Sequence, residues 1–98
     1  MQEINAKEVQ EKLENGEKLN LIDVRETEEV ANGKIPTATN IPLGLLEFRE
    51  NELDQATDYI MVCRSGGRSG QATQYLESRG FKVKNMTGGM LDWEGNVE

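Results

Sequence analysis

Asp58-Tyr59-Ile60-Met61-Val62-Cys63-Arg64-Ser65-Gly66-Gly67-Arg68-Ser69-Gly70 carries an apolar run straight into a glycine-rich turn flanked by two arginines. The run from Tyr59 to Val62 has the length and unbroken hydrophobicity of a buried strand, and Cys63 stands at its carboxyl end. Beyond the turn, GQATQYLESRG (70–80) sets Ala72, Tyr75 and Leu76 on one helical face. Gly80 takes the position after the helix end, with Phe81 placed to pack back on Leu76 as in a Schellman ending.

Outward from this stretch the same alternation continues in both directions. INAKEVQEKLENG (4–16) predicts a first helix, with Asn5 as N-cap, Glu8 completing a capping box, Ile4 and Val9 at the staple positions, and Gly16 as stop. LNLIDV (19–24) predicts a short buried strand ending near Asp23, and ETEEVANG (26–33) a short acidic helix. ATNIP (38–42) predicts a brief strand. LGLLEFRENEL (43–53) carries helical spacing at Leu45, Leu46 and Phe48. FKVKNM (81–86) reads as a last strand, and GGMLDWEG (88–95) as a Gly-Gly turn into a final helical turn. Strands separated by helical segments imply βαβ units, hence an α/β fold with a mostly parallel sheet and helices on both faces. In such sheets the working site lies beyond the carboxyl ends of the strands, where Cys63 falls.

Composition narrows the function. Ninety-eight residues suit a single domain over 1–98. A net charge of −7 makes the surface as a whole repel nucleic acid and anionic membranes, so neither is an expected partner. No apolar run is long enough to span a bilayer, and the first residues lack the pattern of a signal peptide. A single cysteine makes no internal disulfide, which points to a cytoplasmic setting and excludes a Cys-x-x-Cys redox pair. The absence of histidine excludes Cys-His catalysis and histidine metal sites, and no metal or cofactor is expected.

Cys63 in this loop has the setting of a nucleophile. Gly66 and Gly67 allow successive backbone N–H groups to converge on an anion, the following helix adds the positive end of its dipole, and Arg64 and Arg68 add permanent charge. Such settings lower a cysteine pKa from about 8.5 into the range of roughly 3.5 to 7.5. The thiolate is then a nucleophile at neutral pH without a histidine base. Ser65 and Ser69 add hydroxyl donors, Ser69 being equally a residue of the helix's first turn.

With these residues in view, the sequence resembles the single-domain rhodaneses, thiosulfate or persulfide sulfurtransferases of the rhodanese-like family. LIDVRETEEVANGKIPTATNIPL (21–43) is similar to the family's first signature, VCRSGGRS (62–69) to its active-site loop, and GGMLDW (88–93) to its carboxyl-terminal Gly-Gly-x-x-x-Trp ending. The resemblance implies a five-stranded, mostly parallel sheet with Cys63 as catalytic nucleophile. It implies a small sulfur donor, thiosulfate or a persulfide, and a thiol, cyanide or acceptor-protein cysteine as acceptor. A persulfide on Cys63 would be the intermediate of a ping-pong cycle, held by the amides of the loop from Arg64 to Ser69, with Arg64 and Arg68 receiving the sulfonate of thiosulfate.

The chain departs from the family pattern at Lys34, where a histidine is usual, and at Thr37, where a glycine is usual. Lys34 is expected in solvent, Asp23 and Arg25 as a structural pair, Glu26, Glu28 and Glu29 as a solvated helix face, and Gly88, Gly89 and Trp93 as turn and packing residues. Two other functions remain open on these residues. A non-catalytic or carrier-type module of the same family would bind a protein partner through the same loop. A Cys-dependent phosphatase or arsenate reductase uses five residues between cysteine and arginine, whereas four separate Cys63 from Arg68, a narrower cradle suited to one sulfur atom.

Overall fold

The computed structural model describes residues 1–98. Five parallel strands, β1 (Glu3–Asn5), β2 (Asn20–Asp23), β3 (Thr39–Asn40), β4 (Asp58–Val62) and β5 (Lys82–Thr87), form one sheet in the order β1-β5-β4-β2-β3. All four pairings are parallel, with Asp23 opposite Val62 and Met61 opposite Asn85 at the carboxyl ends of the three inner strands. The α-helices are α1 (Ala6–Glu14), α2 (Thr27–Ala31), α3 (Leu46–Arg49) and α4 (Gly67–Ser78). None is long and apolar enough to cross a membrane.

The central strand explains the two-layer core. Tyr59, Met61 and Cys63 point to one face of β4, where they pack with Leu46 of α3 and with Ala72 and Leu76 of α4. Ile60 and Val62 point to the other, against Ala6 and Val9 of α1 and Ile35. Met61 and Val62 are both 0% exposed, and each such burial contributes about 1.5–3 kcal/mol. A continuous apolar run is what a strand covered on both sides requires.

Local signals hold where they are closed by near neighbours. Asn5 caps α1, its side chain accepting from the Glu8 N–H at 2.8 Å while the Glu8 carboxylate accepts from the Asn5 N–H. At the end of α4 the Gly80 N–H donates to the Glu77 carbonyl and the Phe81 N–H to the Leu76 carbonyl, both at 3.0 Å, which is the Schellman pattern.

Four differences from the sequence expectations are physical. β1 occupies three residues that precede and cap the first helix, and it exists because Ile4 pairs with Met86 across the chain. The last helix starts at Gly67 rather than Gly70, so Arg68 and Ser69 lie in its first turn. In the 43–53 segment only Leu46 is buried; Leu45 and Phe48 face solvent because the segment breaks into short 3-10 and α turns instead of one amphipathic helix. Lys34 is not in solvent. Its ammonium donates to the carbonyls of Ile35 (3.3 Å) and Ala38 (3.2 Å) and pairs with Glu98 at 2.8 Å, clamping the turn that holds Thr37.

Candidate functional site

The end of β4 delivers Cys63 to the carboxyl edge of the sheet, 1% exposed, and the chain then turns back over it. Gly66 makes that turn. Its φ of +106° lies in the left-handed region, and the resulting backbone aims its N–H at the Cys63 sulfur, 3.0 Å away. Gly66 also caps α4, so the first turn of that helix rises directly beside the sulfur. Ser69, buried in this turn, places its Oγ 3.2 Å from Sγ. Its hydroxyl is therefore both a first-turn helix group and a neighbour of the thiol.

Burial of Cys63 pushes its pKa up, yet the thiol sits below its ordinary value. In the thiolate form, hydrogen bonds available from the Ser69 hydroxyl and from the backbone amides of Ser69, Gly66 and Ser65 more than offset desolvation. The converging amides, more than the two guanidinium charges, hold the thiolate. Arg68 does feel that charge, since the thiolate adds to the forces raising the pKa of its guanidinium.

The remaining loop residues divide. Arg64 is exposed and makes no hydrogen bond or ion pair with its side chain. Ser65 is exposed and contributes its amide rather than its hydroxyl. Gly67 has ordinary helical backbone with open space where a Cβ would stand. Arg68 is engaged by Glu29 of α2, with Nη1 and Nη2 at 2.6 and 2.8 Å from the two carboxylate oxygens. The Arg68 hydrogen bond, with help from the Glu26 N–H, pulls the Glu29 carboxyl down to about 2. Glu29 is thus not part of a solvated face, although Glu26 and Glu28 are exposed as expected.

Behind this pair stands Arg25, buried with Asp23 at 2.8 Å, whose guanidinium also donates to the Gly33 carbonyl just past α2. Asp23 and Arg25 have the structural placement expected of them, holding α2 where Glu29 can reach Arg68.

Two further residues build the loop from a distance. Asn85, buried on β5, donates from Nδ2 to the Gly66 carbonyl at 3.1 Å and accepts from the Ser69 hydroxyl at 2.5 Å. Its only sequence signal was its phase: with Lys82 and Lys84 outward and Val83 inward, the alternation of the strand turns Asn85 inward. Gly89 permits the carboxyl-terminal turn to close on the loop: Met90 and Leu91 donate their N–H groups to the carbonyls of Cys63 (2.9 Å) and Arg64 (3.0 Å). A Cβ at Gly89 would lie 2.4 Å from the Arg64 carbonyl oxygen. The Gly-Gly pair is therefore more than a turn, because it supports the backbone of the cysteine loop. A recess lined by Leu19, Asn20, Asp58 and Lys82 lies at the opposite, amino-terminal edge of the strands, away from Cys63.

A parallel α/β sheet with one cysteine cradled by loop amides at its carboxyl edge defines a class, and comparison with known proteins agrees. Residues 5–96 match the rhodanese-like domain. The Bacillus subtilis protein YtwF is 45% identical over 100% of this chain and 95% of its own length. A sulfurtransferase of Allochromatium vinosum is 37% identical, covering 93% of this chain and 86% of its own. The crystal structure of a rhodanese-like domain protein from Staphylococcus aureus aligns with a TM-score of 0.94 at 34% identity, covering 100% of this chain and 97% of that one. The chain belongs to the rhodanese-like family.

Proposed function

We propose that this chain is a sulfurtransferase that moves a sulfane sulfur from thiosulfate or a persulfide donor to a thiol or cyanide acceptor through a persulfide on Cys63. The observation that carries this reading is the Gly66 amide set 3.0 Å from a buried Sγ, among amides that favour the thiolate. The Cys63 thiolate attacks the outer sulfur of thiosulfate. A new S–S bond forms, the bond to the sulfonate sulfur breaks, and sulfite leaves with the bonding pair. The negative terminal sulfur of the persulfide is then held by loop N–H groups, which also stabilise charge in the transition state. Cyanide or a thiolate takes that sulfur in the second half-reaction and regenerates the Cys63 thiolate. With no second cysteine in the chain, an acceptor thiol comes from outside.

Between the two arginines, Arg64 is the one free to receive the sulfonate, since Arg68 is held by Glu29. Intact mass before and after thiosulfate, then after cyanide, tests the reading. A gain of one sulfur, about 32 Da, on Cys63 that cyanide removes as thiocyanate is the expected result. No gain at a free, reactive thiol would turn the assignment to a protein-binding module of the same family.

A further inference from the structure

Asn85 bears on the protonation of Cys63. Its Nδ2 donates to the Gly66 carbonyl, a group that only accepts, so the amide cannot be turned around and Oδ1 is the atom facing Ser69. Oδ1 has no proton to give. The 2.5 Å contact between them is therefore made with the single proton of the Ser69 hydroxyl. That leaves a lone pair of Ser69 Oγ turned toward the Cys63 sulfur at 3.2 Å. A lone pair in that place accepts from a thiol and opposes a thiolate.

We propose that Asn85 is a positioning residue that competes with Cys63 for the one hydroxyl proton of Ser69 and so sets how readily the thiol ionises. In the thiol form the donors run one way: Cys63 S–H to Ser69 Oγ, Ser69 O–H to Asn85 Oδ1, and Asn85 Nδ2–H to the Gly66 carbonyl. When the thiol proton leaves to solvent, the Ser69 hydroxyl rotates about its Cβ–Oγ bond. Its hydrogen bond to Asn85 breaks and one to Sγ forms. Asn85 Oδ1 is then buried without a partner, which opposes the ionisation that the loop amides favour. Once Sγ is bonded to a second sulfur it carries no charge, and the Ser69 proton returns to Asn85. Asn85 thereby favours the sulfur-loaded state over the free thiolate.

Charged groups on the elements packed about the loop include Arg64 of the loop itself, Arg68 of α4 with Glu29 and Glu26 of the α2 segment, the mutually paired Asp23 and Arg25 at the end of β2, Asp92 of the carboxyl-terminal turn, and Glu3 opposite Asn85 on β1. The substitutions below leave all of them in place.

The test is the pH dependence of Cys63 alkylation by iodoacetamide in the wild type, Asn85→Leu, Ser69→Ala and the double variant. Asn85→Leu removes both amide groups, and the Gly66 carbonyl keeps the Gly70 N–H at 3.0 Å. Its midpoint is expected to fall by about half to one pH unit, the size of one hydrogen bond. In the Ser69→Ala background the same substitution is expected to shift nothing. A midpoint unchanged or raised by Asn85→Leu, or lowered equally in both backgrounds, overturns the proposal. Should leucine not be accommodated, Asn85→Ala carries the same expectation. Infrared spectroscopy of the wild type at a pH below the midpoint gives an independent reading, because Cys63 supplies the only S–H stretch. That band is expected at a hydrogen-bonded frequency that Ser69→Ala moves to the free one; a free frequency in both sinks the idea. The inference rests on Cys63 as the reacting sulfur, but its readouts are protonation and not transfer, so they decide it even in a protein that moves no sulfur.

Discussion

Arg68 and Glu29 lock together as a bidentate ion pair across 39 residues of sequence, joining the first turn of α4 to α2. The pair is partly exposed, with 35% and 31% of each side chain accessible. Its hydrogen bonds still hold the Glu29 carboxyl down to about 2 from an ordinary 4.5. A carboxyl whose folded pKa is depressed contributes stability that is fully present above the unfolded value and is lost as pH falls through the folded one. Glu29→Gln is expected to lower stability by about 0.5–1 kcal/mol at pH 7, after discounting for solvent screening. Denaturation from pH 7 to pH 2 checks this: the gap between wild type and variant should narrow below about pH 4.5 and close toward pH 2.

Cys63→Ser is expected to abolish persulfide formation and transfer while the protein stays folded, because the change keeps shape in a buried site. The mass assay and circular dichroism on one preparation decide it. Full transfer activity in the serine variant would show that the sulfur is carried elsewhere.

The wild-type thiol should titrate below an ordinary cysteine. Its alkylation rate is expected to rise with pH and reach its plateau earlier than that of a model thiol, since loop hydrogen bonds outweigh burial. By linkage, the thiolate's contribution to stability is complete above the unfolded thiol pKa and disappears as pH falls through the lower folded value. A midpoint at or above that of the model thiol contradicts the amide cradle.

Arg64→Ala separates binding from folding. Its side chain is exposed and makes no hydrogen bond or ion pair in the fold, so stability should change by less than about 0.5 kcal/mol. A hydrogen-bonded ion pair with a sulfonate is worth about 1.5–3 kcal/mol, so kcat/KM for thiosulfate is expected to drop about 10-fold or more. A persulfide donor lacking the sulfonate should be affected much less. Equal losses with both donors would remove Arg64 from sulfonate binding.

Thr37 holds a φ of +74°, and the Ala38 N–H donates to the Ile35 carbonyl across Pro36 and Thr37. Proline followed by a positive φ is the arrangement of a type II turn, which favours glycine at the second central position. A β-branched residue there is strained by about 1–2 kcal/mol, part of which a glycine returns as chain entropy. Thr37→Gly is expected to stabilise the protein by about 0.5–1 kcal/mol, raising Tm by a few degrees in a scanning calorimeter. A fall in Tm would mean that Lys34 and its contacts have relieved the strain already.

Gly89→Ala, in contrast, should damage the loop without touching it in sequence. Its new methyl group meets the Cys63 and Arg64 carbonyl oxygens at 2.6 and 2.4 Å, atoms of a backbone that cannot swing aside. A loss of about 2–3 kcal/mol is expected, together with slower alkylation of Cys63. Unaltered thiol reactivity in a destabilised variant would confine Gly89 to packing.

What the sequence by itself determined is what neighbours in the chain settle. The Asn5–Glu8 capping box and the Gly80 ending close within six residues, so composition and spacing suffice to read them. The run from Tyr59 to Val62 reads as a buried strand from its apolar length, and the glycines after it allow amides to turn toward Cys63, as the Gly66 amide does. Tertiary structure alone decided which distant group completes each of these. β1 is a strand only because β5 lies beside it, and its three residues carry no pattern of their own. Four acidic residues fall between positions 23 and 29, yet only Glu29 pairs with Arg68, because the strand order sets α2 against the start of α4. Asn85 finds Ser69, and Gly89 finds the loop carbonyls, for the same reason. Local bonds follow from the dihedral preferences of a few residues, whereas a long-range partner is chosen by which strands lie side by side, and no short window of sequence contains that information.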